Sequence, residues 1–184
     1  MKKTIFTTLA AVAIILTSFT ASAQKLVSSN THFKFFSSTP AENIEANNYK
    51  SVGTIETSTG EIVFSVPMQS FEFEKALMQE HFNSKKFLDT KTNPKSKLIG
   101  KITNLNQINF GKDGSYPADI VGDLTLNGVT NPVKEKATIT VKGGKVALSS
   151  KLNITLNDYK IAFSSGKPST NIAKTVEVTV HAAY

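Results

Sequence analysis

The chain has 184 residues, 40% of them hydrophobic, with no cysteine and no tryptophan, and a formal net charge of +7. Without cysteine it can build neither a disulfide framework nor a thiolate metal site. Every basic residue is lysine, so the bidentate arginine contacts typical of base-edge and phosphate recognition are missing, which argues against sequence-specific nucleic-acid binding.

The first residues read as a targeting segment. Lys2 and Lys3 give a positive start, Ile5 to Phe19 is mostly apolar, and Ala21-Ser22-Ala23 supplies a small-x-small cleavage pattern. This is the layout of a secretory signal peptide, residues 1–23, with cleavage expected before Gln24. The apolar run is short for the ~20 residues of a membrane span. The expected destination is the periplasm, with secretion as the alternative. Taking 23 residues from 184 leaves 161, one ordinary domain over residues 24–184. Losing Lys2 and Lys3 lowers the net charge from +7 to +5, a mild bias toward anionic partners or simply a solubilising surface.

Period-2 alternation dominates the rest. Ile62, Phe64 and Val66 form one apolar set, and Ile120, Gly122, Leu124 and Leu126 another. Ala137, Ile139 and Val141 follow, then Val146 through Leu156 at every second position, then Val176, Val178, Val180 and Ala182. Strands with one apolar and one polar face are the antiparallel signature. Thr59-Gly60, Lys112-Asp113-Gly114, Asn127-Gly128 and Gly143-Gly144 mark turns, the last a tight hairpin. One stretch departs from the pattern: Leu77, Met78, His81 and Phe82 fall at helical spacing, and Phe87-Leu88 suggests a further short turn. A single helical insertion among roughly eight strands suggests an all-β, eight-stranded antiparallel barrel with a helical plug or lid. Such a barrel fills its interior with side chains or holds one ligand, and the alternation is compatible with both.

Catalytic and metal motifs fail on spacing. His32, His81 and His181 lie far apart with no ligand-spaced partner, so no metal site or cofactor is expected. Ser164-Ser165-Gly166-Lys167 has the S-x-x-K form, but Lys174-Thr175-Val176 lacks the glycine of the accompanying K-T-G. Glu72 and Glu74 alternate with Phe71 and Phe73, as the solvated face of a strand does. Lys85, Lys86, Lys91, Lys95, Lys97 and Lys101 are faced only by Asp89, which makes either a solvated loop or a positive rim for an anionic head group.

Two stretches carry a family resemblance. One is Glu80-His81-Phe82-Asn83-Ser84-Lys85-Lys86-Phe87-Leu88-Asp89 followed by Asn93-Pro94; the other is Gly122-Asp123-Leu124-Thr125-Leu126-Asn127-Gly128-Val129-Thr130-Asn131-Pro132-Val133. A looser echo is Asn157-Asp158-Tyr159. The chain resembles the YceI-like family, exported proteins with a lipocalin-like barrel that bind polyisoprenoids and related lipids. Lys85 and Lys86 stand where that family carries acids, Asn93 replaces its tyrosine, and the arginine of its last motif is missing.

The resemblance implies a lipid-holding barrel without enzymatic activity. The expected partner is a polyisoprenoid, an isoprenoid quinone, a fatty acid or another amphiphile, with transient contact at a membrane surface. Phe64, Val66, Phe71, Leu98, Leu124, Leu126, Ile139, Leu152, Ile154 and Val178 are expected to face one enclosed apolar space. Leu77, Phe82 and Phe87 are expected to cover its mouth, and His81, Lys85, Lys86 and Lys91 to form a head-group rim. The readings set against this are a filled barrel acting as a protein-interaction module and a weak hydrolase or isomerase using His81.

Overall fold

In the computed structural model, residues 24–28, 30–161 and 171–184 are described. The leader read over residues 1–23 and the Ser164–Lys167 motif lie outside the described residues. The elements are β1 (Lys25–Ser28), β2 (Asn30–Ser38), β3 (Asn43–Asn48), β4 (Val52–Glu56), β5 (Glu61–Pro67), β6 (Glu72–Phe73), α1 (Ala76–Asn83), β7 (Lys95–Ile102), β8 (Gly114–Leu126), β9 (Val129–Lys142), β10 (Lys145–Thr155) and β11 (Thr175–Ala183). Every ladder is antiparallel. Among the described residues no helix is long and apolar enough to cross a membrane.

Eleven strands replace the eight expected, and the difference lies in interruptions rather than in topology. Ser28 of β1 faces Gly53 of β4, and Phe33 of β2 faces Asn48 of β3. Five residues forward on one side match five back on the other, so a single register runs through both pairings. β1 with β2, and β3 with β4, therefore act as two long staves of one hairpin. β5 and β6 share a third stave, broken by a 3-10 turn at Met68–Ser70, and pair with β4 and β3 in turn. The remaining strands follow in chain order as far as β11, which pairs back onto β2, for example Val180 with Phe33. The first stave is thus bonded on both sides, and the ladder closes as an up-and-down barrel of eight staves. Closure leaves little open sheet edge of the kind that recruits other chains, the β9–β10 seam beyond Ala137 and Ser150 being the stretch where the ladder is interrupted.

The break between β3 and β4 exposes backbone groups that must be satisfied inside the wall. Asn48, fully buried, donates to the Pro67 carbonyl at 2.8 Å and accepts from the Lys50 N–H at 2.9 Å and the Ser51 hydroxyl at 3.1 Å. Thr31 donates to the Ser51 carbonyl at 2.6 Å. These hydrogen bonds are what make the break tolerable in a buried position. On the outer face, exposed ion pairs join neighbouring staves, including Lys34–Glu45, Lys136–Asp119 and Lys151–Glu177.

The β8–β9 hairpin turns on Asn127 and Gly128, both at positive φ, as a two-residue primed turn requires. Between β7 and β8 the inward-facing Gly100 and Gly122 sit directly opposite each other. A Cβ on Gly122 would stand 2.4 Å from the Ile99 carbonyl oxygen and 2.5 Å from the Gly100 Cα. This contact lets the wall bend where any side chain would push the staves apart. Gly122→Ala is accordingly expected to destabilise the protein by about 1–3 kcal/mol. Gly111→Ala, whose Cβ would meet only the Asn109 side chain at 3.5 Å, is expected to be neutral or slightly stabilising. Urea unfolding of the two variants measures the difference; equal stabilities would contradict the close-approach role of Gly122.

Candidate functional site

The barrel interior divides by depth. One end carries the connections after β4, β7 and β9. There Ile55, Ile62, Ile102 and Ile139 are each less than 2% exposed and cluster with Ala118 and Ala182, and the equally buried Leu148 stands at the boundary, lining the cavity beyond. This end is filled by side chains. At the other end the inward residues line a cavity of about 130 Å³, well above the ~10–15 Å³ that a single water needs.

The wall of the cavity is built by alternation. β5 contributes Phe64 and Val66, β7 Leu98, β8 Leu124 and Leu126, β10 Leu152 and Ile154, and β11 Val178. Phe33 and Phe35 of β2, Val133 of β9, and Val176 and Val180 of β11 complete it. The polar exceptions among the described lining residues are Ser96, Ser150 and Glu135.

The connection from β5 to β7 folds over this end as a cap. Phe71, Phe82, Phe87 and Leu88 turn their side chains into the cavity. Phe82 is the hub: its ring lies 5.0 Å from Phe73, 5.5 Å from Phe71, 6.2 Å from Phe87 and 6.4 Å from Phe35, all tilted. Tilted rings at these separations are favoured by the aromatic quadrupole beyond the area they bury. Asn83 holds the cap to its own return, since the fully buried Thr90 hydroxyl donates to its Oδ1 at 2.8 Å. Asn93, which stands where the family pattern has tyrosine, ties the cap to the β8–β9 turn by donating to Asn127 Oδ1 at 3.1 Å.

Of the residues expected to face the enclosed space, Phe64, Val66, Phe71, Phe82, Phe87, Leu98, Leu124, Leu126, Leu152, Ile154 and Val178 line the cavity. Two expectations are corrected. Ile139 faces inward but lies in the filled end, paired with Leu148 and fully buried. Leu77 is 62% exposed and does not cover the mouth. On α1, Leu77 and His81 are four residues apart and share one stripe, while Met78 and Phe82 share the next. Phe82 of the second stripe turns inward, with Met78 half-buried and outside the cavity lining, and the first stripe faces solvent. Lys85, Lys86 and Lys91 are also exposed. They flank Phe87 and Leu88 on the outer surface of the cap, and neither they nor His81 line the cavity.

Glu135 is the residue that sequence reasoning missed. It continues the inward phase of Ala137, Ile139 and Val141 back along β9, and it sits opposite Ile120 of β8. Pairing between β9 and β10 stops at Ala137 with Ser150. Beyond that point the join is made by side chains. Ser150 donates to the Lys136 carbonyl at 2.7 Å, and Asn131 reaches the Asp158 carbonyl at 2.8 Å. Asn127 also reaches the Tyr159 carbonyl, at 3.1 Å. Tyr159 is buried beside this gap. Burial raises its hydroxyl above the usual value, while a hydrogen bond with Asn131 lowers it and the negative charges of Asp158 and Glu135 raise it further.

Burial also pushes the Glu135 carboxyl above the ordinary carboxylate value. The folded protein then holds this proton more tightly than the unfolded chain does. The group therefore carries no penalty below about pH 4, where both states are protonated, and stability falls as pH rises through the carboxylate range to the raised folded value. Glu135→Gln removes that loss. The variant should match the parent in thermal unfolding at about pH 3.5 and exceed its Tm at about pH 8. An identical difference at both pH values would contradict the burial of this charge.

Comparison with known proteins bears on the same fold and site. The model of the YceI-like domain matches residues 17–184. A UPF0312 protein of Pseudomonas fluorescens Pf-5 is 41% identical over 64 residues, 35% of this chain and 31% of that protein. Another, from Pseudomonas fluorescens SBW25, is 30% identical over 109 residues, 56% of this chain and 53% of the relative. The matched stretches thus span about half, or less, of these curated relatives. A polyisoprenoid-binding domain from Saccharophagus degradans, implicated in plant cell wall breakdown, superposes with a TM-score of 0.74 at 14% identity, over 88% of this chain and 98% of that one. Burkholderia cenocepacia BcnA superposes with a TM-score of 0.70 at 16% identity, over 84% and 96% of the two chains. At such identities the superpositions establish a shared fold, and with the domain match along nearly the whole sequence, the chain belongs to the YceI-like family.

Proposed function

We propose that this is an exported binding protein that holds a long apolar chain, a polyisoprenoid or a related single-chain lipid, inside the cap end of the barrel. The observation that carries the reading is an apolar cavity walled by seven staves and roofed by Phe71, Phe82, Phe87 and Leu88. The polyisoprenoid binding of the Saccharophagus degradans domain supports it by likeness of fold, and the leader-like first 23 residues support export to the periplasm. No reaction is part of the proposal: His81 is exposed on α1, away from the cavity. A filled barrel serving only as an interaction module would have no use for open volume at this end.

The size of the cavity limits the affinity. Each methylene buried there contributes ~0.8 kcal/mol before ordering costs are subtracted. Once the cavity is full, a longer chain gains more only by parting the cap.

Titration calorimetry with straight-chain alcohols of six to sixteen carbons tests this. Affinity should rise about fourfold per added carbon until the cavity is full and flatten beyond. Binding of the short alcohols as tightly as the long ones, or of none, would overturn the reading.

A further inference from the structure

Glu135 has no evident structural employment. Among the described residues no ion pair reaches it; the adjacent Lys136 points outward and pairs with Asp119 at 3.3 Å. The hydroxyls of Ser96 and Ser150, the other polar side chains lining the cavity among the described residues, are given to the Thr125 and Lys136 carbonyls. The carboxylate therefore stands half-buried on a largely apolar wall, where a charge is costly unless something donates to it. It stands at the one place where β9 and β10 lose their pairing, so the wall there is held by side chains rather than by a continuous ladder.

Resting on the lipid reading above, we propose that Glu135 is the polar anchor of the cavity, and that the bound chain ends in a hydrogen-bond donor, a hydroxyl or a protonated amine, rather than in an anion. A carboxylate only accepts, so it bonds a hydroxyl, pairs with an ammonium group and repels a carboxylate or phosphate. Those effects are strengthened in a low-dielectric wall. Lys85, Lys86 and Lys91 lie outside on the cap, so the charge that a buried polar end meets is set by Glu135 and not by the lysines. This reverses the anionic head group that the lysine-rich segment suggests when read alone. The overall positive charge of the chain would by itself favour the acid, so a preference for the amine reports the local carboxylate.

The test uses three probes sharing one fifteen-carbon isoprenoid chain: farnesol, farnesylamine and farnesoic acid. Each is titrated into the folded protein and into its Glu135→Gln and Glu135→Asp variants near pH 8. The unaltered protein should bind the amine at least about tenfold more tightly than the acid, with the alcohol between them. Glu135→Gln should lower the amine-to-acid ratio about tenfold, and Glu135→Asp should keep most of it. If Glu135→Gln fails to fold, the ratio in the unaltered protein decides, because equal or tighter binding of the acid overturns the anchor. An unchanged ratio in Glu135→Gln likewise overturns the anchor while leaving the lipid reading intact. Binding of none of the three probes overturns both.

Discussion

The structure depends on one stave being hydrogen-bonded on both sides. In this stave Lys25–Ser28 pairs with β4 and Phe33–Ser38 with β3 on one flank, and Asn30–Phe36 pairs with β11 on the other. Without the second pairing the sheet would be an open, strongly curled ribbon with two exposed edges. With it, every inward side chain shares one interior, and the ends of that interior become the places where function can differ. The Ser28 hydroxyl donates to the Ala183 carbonyl and so bonds β1 to the end of β11, next to the filled end.

Closure fixes the circumference, but packing decides what the interior does. Toward one end, isoleucines from several staves interdigitate with alanines and leave no space, which is the ordinary fate of a small barrel. Toward the other, larger side chains stand off the axis, and the volume between them is roofed rather than filled. The roof is a cluster of phenylalanine rings around Phe82, carried by a connection with little regular structure beyond α1. Its rings meet side chain against side chain, while the connection that carries them is tied to the wall through β6, which pairs with β3.

Much of this was legible in the sequence. Period-2 alternation told which face of β5, β8, β10 and β11 was inward, and the departure from alternation after Phe73 marked the cap. What alternation does not encode is depth: Ile139 and Leu124 obey the same rule, yet one lies in the filled end and the other in the cavity wall. Depth follows from the stagger between staves, set by pairings distant in sequence. Helical spacing had a similar gap at α1, where Leu77 and Phe82 lie in adjacent stripes and only one stripe can face inward. Glu135 could have been found. Carrying the phase of Val141, Ile139 and Ala137 back by two residues places an acid on the inward face, and the flanking Lys134 and Lys136 disguise it as one member of a solvated charged run. The lysines of the cap gave the opposite signal because composition shows charge without showing which side of the wall it occupies.

The central claim is that the cap end of the barrel holds an apolar chain in the cell. Native mass spectrometry of the protein purified without detergent from its own source, followed by organic extraction, tests it most directly. The account predicts a fraction of molecules carrying one added mass of several hundred daltons, released on extraction as a single-chain lipid with a neutral or cationic end. Only the bare polypeptide mass, in protein whose cavity-filling variant Leu124→Phe shows an identical spectrum and unchanged binding of added lipid, would contradict it.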